Sequence, residues 1–487
     1  MSLPTTRELL ARLRTKQLRF TEVTEQHLQR IARHNDSVNA VVTLNREQAL
    51  RRAQELDRIQ DPAQLPALAG LPVTIKDAFA TAGLRTTASH PPLAGYVPDH
   101  DATLVARLRQ AGALVLGKTN LPQLAGYPHC NSPLFGPTRN PWNPALTSGG
   151  SSGGSAVAVA MGFSCLDLGS DIGGSIRIPA AFCGVAALKA TENRLPRTGH
   201  IPHLPDGQRS VRHCLSFGLL ARDVESLQLG FGQLLGADEA DTEVPPLPLA
   251  QPAAAAGNPR IAWWDDFDGL PLCQRTRTAL QRSVAALQEQ GFTVERCRPQ
   301  GFDFAAAWHA YGLIAGGEIG LDMPAAERWL LSVAGRFLPR SQRLARYFSK
   351  GVGASLRDYN HALNLREHLI QELEGFLNQW DVWICPVAPT VAYPHTTRPW
   401  SALMVDQQRL PYLEATVSMT TPFSLTGSPV VTLPAGVEQG LPVGLQVIGK
   451  RWQDERLLAV CERIAPLLGG YREPPLLAEP AACGEPR

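Results

Sequence analysis

The sequence predicts an α/β protein in which a β-sheet is covered by helices on both faces. Two observations support this fold class. Apolar, β-prone segments alternate with helical patterns in the first third of the chain, and apolar strand patterns return near the C-terminus. Strands that are apolar along their whole length, without alternation, are typical of sheets with both faces covered.

Length and composition narrow the class of protein. The chain has 487 residues, of which 44% are hydrophobic and 18% are charged, and its net charge is +2. Such values are typical of a globular protein with a large core, and the near-neutral balance argues against nucleic acid as the main partner. No stretch reaches the roughly 20 apolar residues that span a bilayer, and the N-terminus does not resemble a signal peptide.

Cysteine usage predicts the compartment. The nine cysteines include no Cys-x-x-Cys pair. A disulfide framework or a zinc site is therefore a poor interpretation, so no metal is expected, and a cytoplasmic location is predicted.

The chain opens with helices. Thr5 and Glu8 have the spacing of a capping box. Thr21 is predicted to cap a second helix, which carries Leu28 and Ile31 on one side.

Strands follow these helices. Residues 71–75 are apolar and β-prone, and they end at Lys76. A helical pattern covers 102–110, and residues 113–116 have the character of a buried strand. This strand–helix–strand order is what predicts the α/β sheet.

The rest of the chain continues the alternation. A glycine- and serine-rich segment passes into an alanine- and valine-rich run over 147–162, a strand is predicted at 165–168, and Pro179 suits the start of a helix. The later predicted elements are a connection at 244–259, a helix at 274–290, a helical region at 304–350, a helix at 356–380, and strands at 382–386, 429–433 and 443–448.

Two glycine–serine segments are candidate functional loops. Residues 149–155 (GGSSGGS) have the composition of a linker, but they lie inside a strand–helix series, which favours an ordered loop. In residues 171–177 (DIGGSIR), Ser175 follows two glycines between a strand and a helix. Backbone N–H groups of such a turn can form an oxyanion hole, although a plain β–α turn fits the pattern equally well.

A third segment imitates a phosphate-binding loop. Residues 112–119 fit G-x-x-x-x-G-K-T, with Lys118 as the lysine. In a true phosphate loop the strand precedes the first glycine, whereas here the interior residues are themselves β-prone. Nucleotide binding through Lys118 is therefore the weakest of the functional interpretations.

A serine nucleophile needs a base. His200, His203 and His213 are the histidines nearest to Ser175 downstream, but none lies in a telling motif, and a surface or loop position is expected for each. Lys76 ends an apolar strand, and burial can keep a lysine neutral. A structural lysine paired with Asp77 is the competing interpretation, and it is favoured on the residues alone.

Taken together, these segments resemble the amidase signature family. The likeness covers most of the chain, and several specific motifs stand in the family's order. It extends to the fatty-acid-amide hydrolase-like and bacterial amidase branches around residues 132–136. The matching blocks are LPVTIKD (71–77), GKTN (117–120), NPWN (140–143), GGSSGGS (149–155), GSDIGGSIRIPA (169–180), FCGV (182–185) and LTGSPVVTLP (425–434).

The resemblance implies a large, mixed, twisted β-sheet covered by helices on both faces. It implies a Ser–cis-Ser–Lys triad, with Ser175 as nucleophile, Ser151 as the bridging serine after a cis Gly150–Ser151 peptide, and Lys76 as base. It implies no cofactor. The N–H groups of Ile172, Gly173, Gly174 and Ser175 would form the oxyanion hole. Ser152 would help to hold the loop of Ser151, and Asp171 and Arg177 would be supporting residues that take no part in proton transfer.

The expected substrate is a small-molecule amide, with esters and carbamates as related substrates. Ala125, Gly126 and Tyr127 are assigned to the substrate-binding loop. The alternative function is the amidase subunit of a tRNA-dependent amidotransferase. Ala78, Ile172 and Ile178 depart from the pattern of that group, and an apolar pocket suits an apolar acyl group better than glutamine.

A single domain over 1–487 is expected, and a homodimer is left open. Its parts are a catalytic core at about 65–230, a helical pocket-covering part at about 260–380, C-terminal strands and a helix at 381–472, and a loose tail at 473–487. Residues 308–348 mix apolar side chains with arginines, which favours ordinary solvated packing over a membrane-surface role. These arginines are Arg328, Arg336, Arg340, Arg343 and Arg346.

Overall fold

A computed structural model describes residues 3–205, 207–247, 257–396 and 401–477. The strands of these residues are β1 (Val41–Leu44), β2 (Pro72–Lys76), β3 (Leu114–Thr119), β4 (Asn131–Ser132), β5 (Gly136–Pro137), β6 (Leu166–Asp171), β7 (Ala186–Lys189), β8 (Ser216–Ala221), β9 (Arg260–Trp263), β10 (Thr293–Arg296), β11 (Val382–Pro386), β12 (Leu403–Val405), β13 (Gln408–Leu410), β14 (Val430–Glu438) and β15 (Leu441–Ile448).

Helices fill most of the remaining described residues. They are α1 (Thr6–Arg14), α2 (Phe20–Val38), α3 (Arg46–Asp57), α4 (Thr103–Gln110), α5 (Gly153–Ala160), α6 (Arg177–Cys183), α7 (Val224–Leu234), α8 (Gln274–Glu289), α9 (Phe304–Gly320), α10 (Ala325–Ala334), α11 (Arg343–Val352), α12 (Leu356–Phe376), α13 (Tyr412–Thr416), α14 (Thr421–Leu425) and α15 (Asp454–Leu468).

One mixed sheet of eleven strands organises the fold. Its order is β1-β3-β2-β6-β8-β7-β14-β15-β11-β9-β10. β2 pairs in parallel with both β3 and β6, and β6 pairs antiparallel with β8. The ends of β2 and β6 therefore lie side by side in the interior of the sheet, where the loops that follow them can meet.

Both faces of the sheet are covered. Leu219 and Leu220 are neighbours on β8, so their side chains point to opposite faces. Leu219 belongs to the main core, which includes residues of α7 and α15, whereas Leu220 packs with residues of α5 and α6. The predicted α/β fold with a large mixed sheet is thus confirmed.

The predicted elements are confirmed with shifted ends. Strands are present at 72–76, 166–171, 382–386, 430–438 and 441–448, and the Thr5–Glu8 capping box is formed. The helical region 304–350 is divided into α9, α10 and α11. The cap by Thr21 is wrong, because α2 begins at Phe20 and the Thr21 hydroxyl donates to Asp57 Oδ2 at 2.7 Å.

Short elements were not predicted. β1, β9 and β10 have four residues each, and so few residues carry no readable period. Of the predicted connection 244–259, residues 248–256 lie outside the described residues. Of the predicted tail 473–487, residues 478–487 do so too, but Leu476 and Leu477 pack against the core beside α5.

Candidate active site

The glycine–serine segment after β6 is a tight turn wrapped around the carboxylate of Asp171. β6 ends at Asp171 and α6 begins at Arg177, and the Gly174 N–H donates to Asp171 Oδ1 at 2.7 Å. Gly174 has a φ of 124°, and a Cβ there would lie 2.5 Å from Thr420 Oγ1. The turn therefore requires glycine at this position, and it presents Ser175 in a partly exposed position.

Arg177 binds both oxygens of the same carboxylate. Its Nε and Nη2 donate to Asp171 at 3.0 and 2.8 Å, and its Nη1 donates to the Thr420 carbonyl at 2.8 Å. Burial acts to raise the pKa of Asp171, but the charge and hydrogen bonds of Arg177 hold this pKa well below its usual range. Asp171 is thus an ionised carboxylate whose hydrogen bonds shape the turn.

Lys76 lies at the centre of a cluster of serine hydroxyls. It is the last residue of β2, and its Nζ lies 2.8 Å from Ser151 Oγ, 2.9 Å from Ser152 Oγ and 3.0 Å from Ser170 Oγ. All four side chains are buried. The Gly150–Ser151 peptide is cis, as the resemblance implies.

The environment of Lys76 favours the neutral form of its amine. Burial lowers the pKa of Lys76 to about 7, against the opposing charges of Asp171 and Asp167. A neutral amine has two N–H groups and one lone pair. With three hydroxyls around it, at least one of them can donate to that lone pair.

The structure also argues against the competing interpretation, in which Lys76 is a structural lysine paired with Asp77. Asp77 accepts hydrogen bonds from the N–H and hydroxyl of Thr87, and the lysine nearest to it is Lys118, at 3.9 Å. The β2 strand therefore turns Lys76 and Asp77 to different partners.

Ser152 and Ser175 are joined through the backbone. The Ser152 N–H donates to the Ser175 carbonyl at 3.0 Å, which ties the two serine loops together. Ser151 and Ser152 are buried, whereas Ser175 keeps accessible surface. Among the hydrogen bonds of the described residues, none joins the hydroxyls of Ser151 and Ser175, so the last link of the predicted triad is not made in this conformation.

The amides of the turn are not equivalent. The peptide between Gly173 and Gly174 is held at both ends, because the Gly173 carbonyl accepts from Thr420 Oγ1 at 2.6 Å and the Gly174 N–H donates to Asp171. Gly174 therefore already uses its N–H. In the described residues no hydrogen bond uses the N–H groups of Ile172, Gly173 or Ser175, so these three amides differ from that of Gly174.

Tyr311 is a residue that the sequence interpretation missed. It lies on α9, and a Cβ at Gly173 would lie 2.6 Å from its hydroxyl. The ring packs with the apolar residues on this face and keeps some accessible surface. Burial raises the pKa of the Tyr311 hydroxyl well above its usual value, so this group remains a hydrogen-bond donor beside the turn.

Ser170 and Thr420 were missed as well. Ser170 stands in a matched block but has no distinguishing neighbour in the sequence. Thr420 is more than 200 positions from the turn that it contacts. Only the pairing of distant elements brings such residues to the site.

The loop that was assigned to substrate binding leads into residues that pack against the cis Gly150–Ser151 peptide. Ala125 ends a short 3₁₀ turn, and the Tyr127 and His129 rings lie 5.4 Å apart. The backbone of His129 packs against Gly150, where a Cβ would lie 2.6 Å from its carbonyl carbon. The loop containing Ala125, Gly126 and Tyr127 is thus adjacent to the Ser151 loop, and its contact with substrate stays a prediction.

Lys118 is a buried lysine whose amine is held by hydrogen bonds to neighbouring protein groups. It lies within β3, is buried, and donates to the Phe79 carbonyl and to the hydroxyls of Thr81 and Thr86, the latter two at 2.8 and 2.9 Å. Its amine is enclosed by these acceptors, and the residues that imitate a phosphate loop are a strand. Nucleotide binding through Lys118 is excluded by this geometry.

The downstream histidines do not hydrogen bond to the serines. His213 contacts Glu318 at 2.5 Å. His200 is a correction to the expected surface or loop position, because it is buried between the rings of Phe79 and Phe217. The aromatic packing that encloses it comes from other strands, which the local sequence does not reveal.

Metal-binding and membrane-spanning features are absent from the described part of the chain. There, no group of three or more His, Cys, Asp or Glu residues is arranged to hold a metal ion, and the eight cysteines are free thiols. None of the helices in these ranges combines the length and the apolar character needed to cross a bilayer.

Comparisons with known proteins agree over nearly the whole chain. The Amidase family model matches residues 22–458. A glutamyl-tRNA(Gln) amidotransferase subunit of Moorella thermoacetica is 32% identical over 481 residues, 93% of this chain and 94% of that protein.

Solved structures give the same result. One described as an amidase is 30% identical with a TM-score of 0.77, covering 96% of this chain and 100% of that one. The 6-aminohexanoate cyclic dimer hydrolase is 26% identical with a TM-score of 0.81, covering 98% of this chain and 99% of that one.

Proposed function

The chain belongs to the amidase family, and from that premise we propose that it hydrolyses carbon–nitrogen bonds of non-peptide amides through an acyl-enzyme. In this proposal Ser175 is the nucleophile, Ser151 passes a proton, and Lys76 accepts it. The observation that carries the proposal is the buried Lys76 amine, with its pKa lowered to about 7, at 2.8 Å from the Ser151 hydroxyl.

Acylation begins at the exposed end of the relay. Substrate occupies the accessible surface at Ser175, and the Ser175 hydroxyl turns toward Ser151. As Ser175 attacks the carbonyl carbon, its proton moves to Ser151 and the proton of Ser151 moves to neutral Lys76. The relay needs no histidine.

The negative charge that develops on the carbonyl oxygen is stabilised by the turn. The free N–H groups of Ile172, Gly173 and Ser175 supply the donors, and the clamped Gly173–Gly174 peptide keeps them oriented. One preorganised donor of this kind is worth about 3 kcal/mol in the transition state. Gly174 was assigned to the oxyanion hole from the sequence. In this proposal its N–H donates to Asp171 instead, so that Gly174 holds the shape of the turn.

The leaving nitrogen requires a proton, because an amide anion is a poor leaving group. Protonated Lys76 returns the proton through Ser151 to that nitrogen. Water then attacks the carbonyl carbon of the acyl-enzyme, and its proton passes through Ser151 to Lys76. The same route returns this proton to the Ser175 oxygen as the acid leaves. Esters and carbamates present the same carbonyl to Ser175, which makes them additional substrates in this proposal.

We propose an apolar acyl or aryl group as the part of the substrate bound beside Ser175. Ile172 and Tyr311 border the turn and belong to an apolar cluster that includes Trp308 and Met419. An apolar wall favours an apolar group through the hydrophobic effect.

A second function, the amidase subunit of a tRNA-dependent amidotransferase, is favoured by one observation, the 32% identity to the Moorella protein. Ala78, Ile172 and Ile178 count against it, since they depart from the pattern of that group. A hydrolase acting alone turns over simple acyl anilides without partners. The subunit function instead predicts glutamine hydrolysis that depends on partner chains.

The nucleophile is tested by labelling with a fluorophosphonate and by mass spectrometry of the labelled peptide. We expect the label on Ser175, no label on Ser175→Ala, and normal labelling of Ser164→Ala. Ser164 is a suitable control because it is buried and its hydroxyl bonds Thr74 instead. A label on another residue, or a labelled Ser175→Ala protein, contradicts the assignment.

The substrate is tested with a panel of p-nitroanilides of increasing acyl length, glutamine, esters and carbamates. We expect turnover of the apolar anilides by the isolated chain to exceed that of glutamine by at least about 100-fold, since burying each added CH₂ contributes about 0.8 kcal/mol. Preferential hydrolysis of glutamine would instead support the amidotransferase function.

A further inference from the structure

A buried carboxylate that the proposed mechanism does not use lies close to Lys76. Asp167 is on β6 and its side chain is fully buried. None of the salt bridges among the described residues includes it. A carboxylate is rarely buried without a cation to balance its charge, because water solvates the ionised form far better than a protein interior does. The position of Asp167 therefore needs a physical explanation.

The strand register places Asp167 on the same face of the sheet as Lys76. Asp167 pairs with Thr74 in the parallel ladder of β2 and β6. Paired residues of neighbouring strands share a face, and so do residues two apart on one strand, which are separated by about 6.6 Å. Lys76 follows Thr74 by two residues on β2, so its side chain starts next to the Asp167–Thr74 pair.

A hydrogen bond across β2 fixes the carboxylate. The Thr119 hydroxyl donates to Asp167 Oδ2 at 3.0 Å, and the Ser155 hydroxyl of α5 lies 3.1 Å from that of Thr119. β3 and β6 lie on opposite sides of β2, and Thr119 pairs with Lys76. The bond from Thr119 to Asp167 therefore crosses β2 between Thr74 and Lys76, and it holds the carboxylate beside the stem of the lysine.

The contacts of this carboxylate leave part of its charge uncompensated. Asp167 Oδ1 has no donor at hydrogen-bonding distance in the part of the chain that the structure describes. Burial raises the pKa of Asp167 to about 6, whereas hydrogen bonds from hydroxyl groups and the charge of Lys76 act in the opposite direction. Above that pH Asp167 is an anion, and this is the range in which Lys76 loses its proton.

The carboxylates whose charge acts on Lys76 differ in their other partners. Asp171 and Asp167 both act to raise the pKa of Lys76 against the effect of burial. Asp171 is bound through both oxygens by the guanidinium of Arg177, which offsets its charge. Asp167 has no such partner among the described residues, so its charge remains available to Lys76.

The remaining titratable groups near the lysine are uncharged or already paired. Burial raises the pKa of the Cys130 thiol to about 11, and it lowers the pKa of His200 well below its usual value. Both groups are therefore neutral near pH 7. The charge of Asp167 also acts on Lys118 of β3, but the salt bridge of Lys118, at 3.9 Å, is with Asp77.

We propose that Asp167 is a positioning residue for the base, and that its carboxylate stabilises the ammonium form of Lys76 that arises during acylation. This role rests on the proposed function, in which the proton of Ser175 reaches Lys76 through Ser151. At that step Lys76 becomes a cation inside the protein, where an isolated charge is unfavourable. A carboxylate fixed on the same face stabilises this cation without having to move. Asp167 itself takes up no proton in the reaction.

The test compares the pH dependence of kcat/KM for the unaltered protein and for Asp167→Asn, with an acyl anilide as substrate. Without the carboxylate the ammonium form of Lys76 is less stable, so the pKa of Lys76 falls. The rising limb of the profile should therefore move to lower pH by at least about 0.5 pH unit. Because a weaker base accepts a proton less readily, the plateau at high pH should also fall, by roughly threefold to tenfold.

Three further variants separate an electrostatic role from a structural one. Asp454→Asn removes another buried carboxylate, which accepts from the N–H and the hydroxyl of Thr191 at 2.7 Å each, and its profile should keep the unaltered midpoint. Asp167→Glu keeps the charge and should keep the midpoint within about 0.2 pH unit. Asp167→Ala should shift the midpoint in the same direction as Asp167→Asn, and it replaces that variant if the asparagine protein does not fold.

A folded Asp167→Asn or Asp167→Ala protein whose midpoint is unmoved, or moves to higher pH, overturns the proposal, even if the variant has lost thermal stability. So does an equal shift in Asp454→Asn, since this result shows that the loss of any buried carboxylate has the same effect. Failure of the proposed function is distinct, because it appears in the unaltered protein as an absence of anilide turnover and of labelling at Ser175.

Discussion

Two buried lysines show how the same residue type is used differently within one sheet. Burial lowers the pKa of both Lys76 and Lys189 to about 7. Lys189 donates to the Ala190 carbonyl and contacts Ser216, which are structural partners. Lys76 instead faces the hydroxyls of the serine loop, so the difference between the two lies in what each amine touches.

Replacement of Lys76 tests this difference. Lys76→Ala should fold but lower kcat/KM by roughly 10²–10⁴-fold, the usual contribution of a general base. Lys189→Ala is the matched control, since it also removes a buried lysine, and most of its activity should remain. Kinetics and circular dichroism of both variants check this prediction, and equal losses of activity would contradict a special role for Lys76.

The pH dependence of the unaltered enzyme follows from the same group. Lys76 accepts a proton only when it is neutral, and its pKa is about 7. The value of kcat/KM should therefore rise as the pH rises through about 7 and then level off, provided the substrate does not titrate. A rate that falls over this range would show that a protonated group is needed instead.

The Tyr311 hydroxyl lies beside Gly173 of the Ser175 turn, so we expect its contribution to depend on the substrate. Tyr311→Phe removes a hydrogen-bond donor, a change worth about 0.5–1.5 kcal/mol. We expect kcat/KM to fall about 2- to 13-fold for substrates with a polar atom next to the carbonyl. Simple alkanoyl anilides should be unaffected, and Tyr347→Phe on α11 is the control. Equal effects on both substrate classes would indicate a purely structural hydroxyl.

At the scale of elements, the turn between β6 and α6 is shaped by groups from distant parts of the chain. Asp171 and Arg177 belong to the turn itself, but Thr420 comes from the segment before α14. Its hydroxyl holds the Gly173 carbonyl at 2.6 Å. A short loop rich in glycine has many conformations available, and these contacts select one of them.

Thr420→Val tests the clamp. Valine has nearly the same shape but no hydroxyl, so the Gly173–Gly174 peptide loses one of its two anchors. We expect kcat to fall roughly tenfold with little change in KM, because a donor that is misoriented costs most in the transition state. Thr416→Val is a matched control, since its hydroxyl bonds the Tyr412 carbonyl at 2.8 Å within α13. A larger effect on KM than on kcat would contradict this account.

At the scale of the whole molecule, the sheet joins distant parts of the sequence. β1 of the N-terminal region and β15 of the C-terminal region belong to the same eleven strands. The predicted parts at about 65–230, 260–380 and 381–472 all contribute to it. A hydrophobic core that is continuous along such a sheet favours unfolding as one unit.

We therefore predict a single cooperative thermal transition. Calorimetry should give one peak, with a van't Hoff enthalpy close to the calorimetric enthalpy. Two well-separated peaks, with the residues around α9–α12 unfolding first in limited proteolysis, would instead show that the helical part is an independent domain.

The sequence by itself determined the elements that carry a strong local signal. Largely apolar strands such as β2 and β11 were recognisable, because burial on both faces leaves few polar residues in them. Their ends were predicted less well. β3 continues through the glycine and lysine of 117–118, since its partners on both sides satisfy the backbone there.

The residues of the candidate site also divide into those that the sequence assigned and those that only the tertiary structure revealed. Motif resemblance alone assigned Lys76, Ser151 and Ser175, whereas physical reasoning from the residues favoured a structural lysine. Only the tertiary structure decided that Asp77 turns to Lys118, that Ser170 and Thr420 reach the site, and that Gly174 uses its N–H internally. These outcomes depend on contacts between residues far apart in the chain, and local sequence does not encode such contacts in a readable pattern.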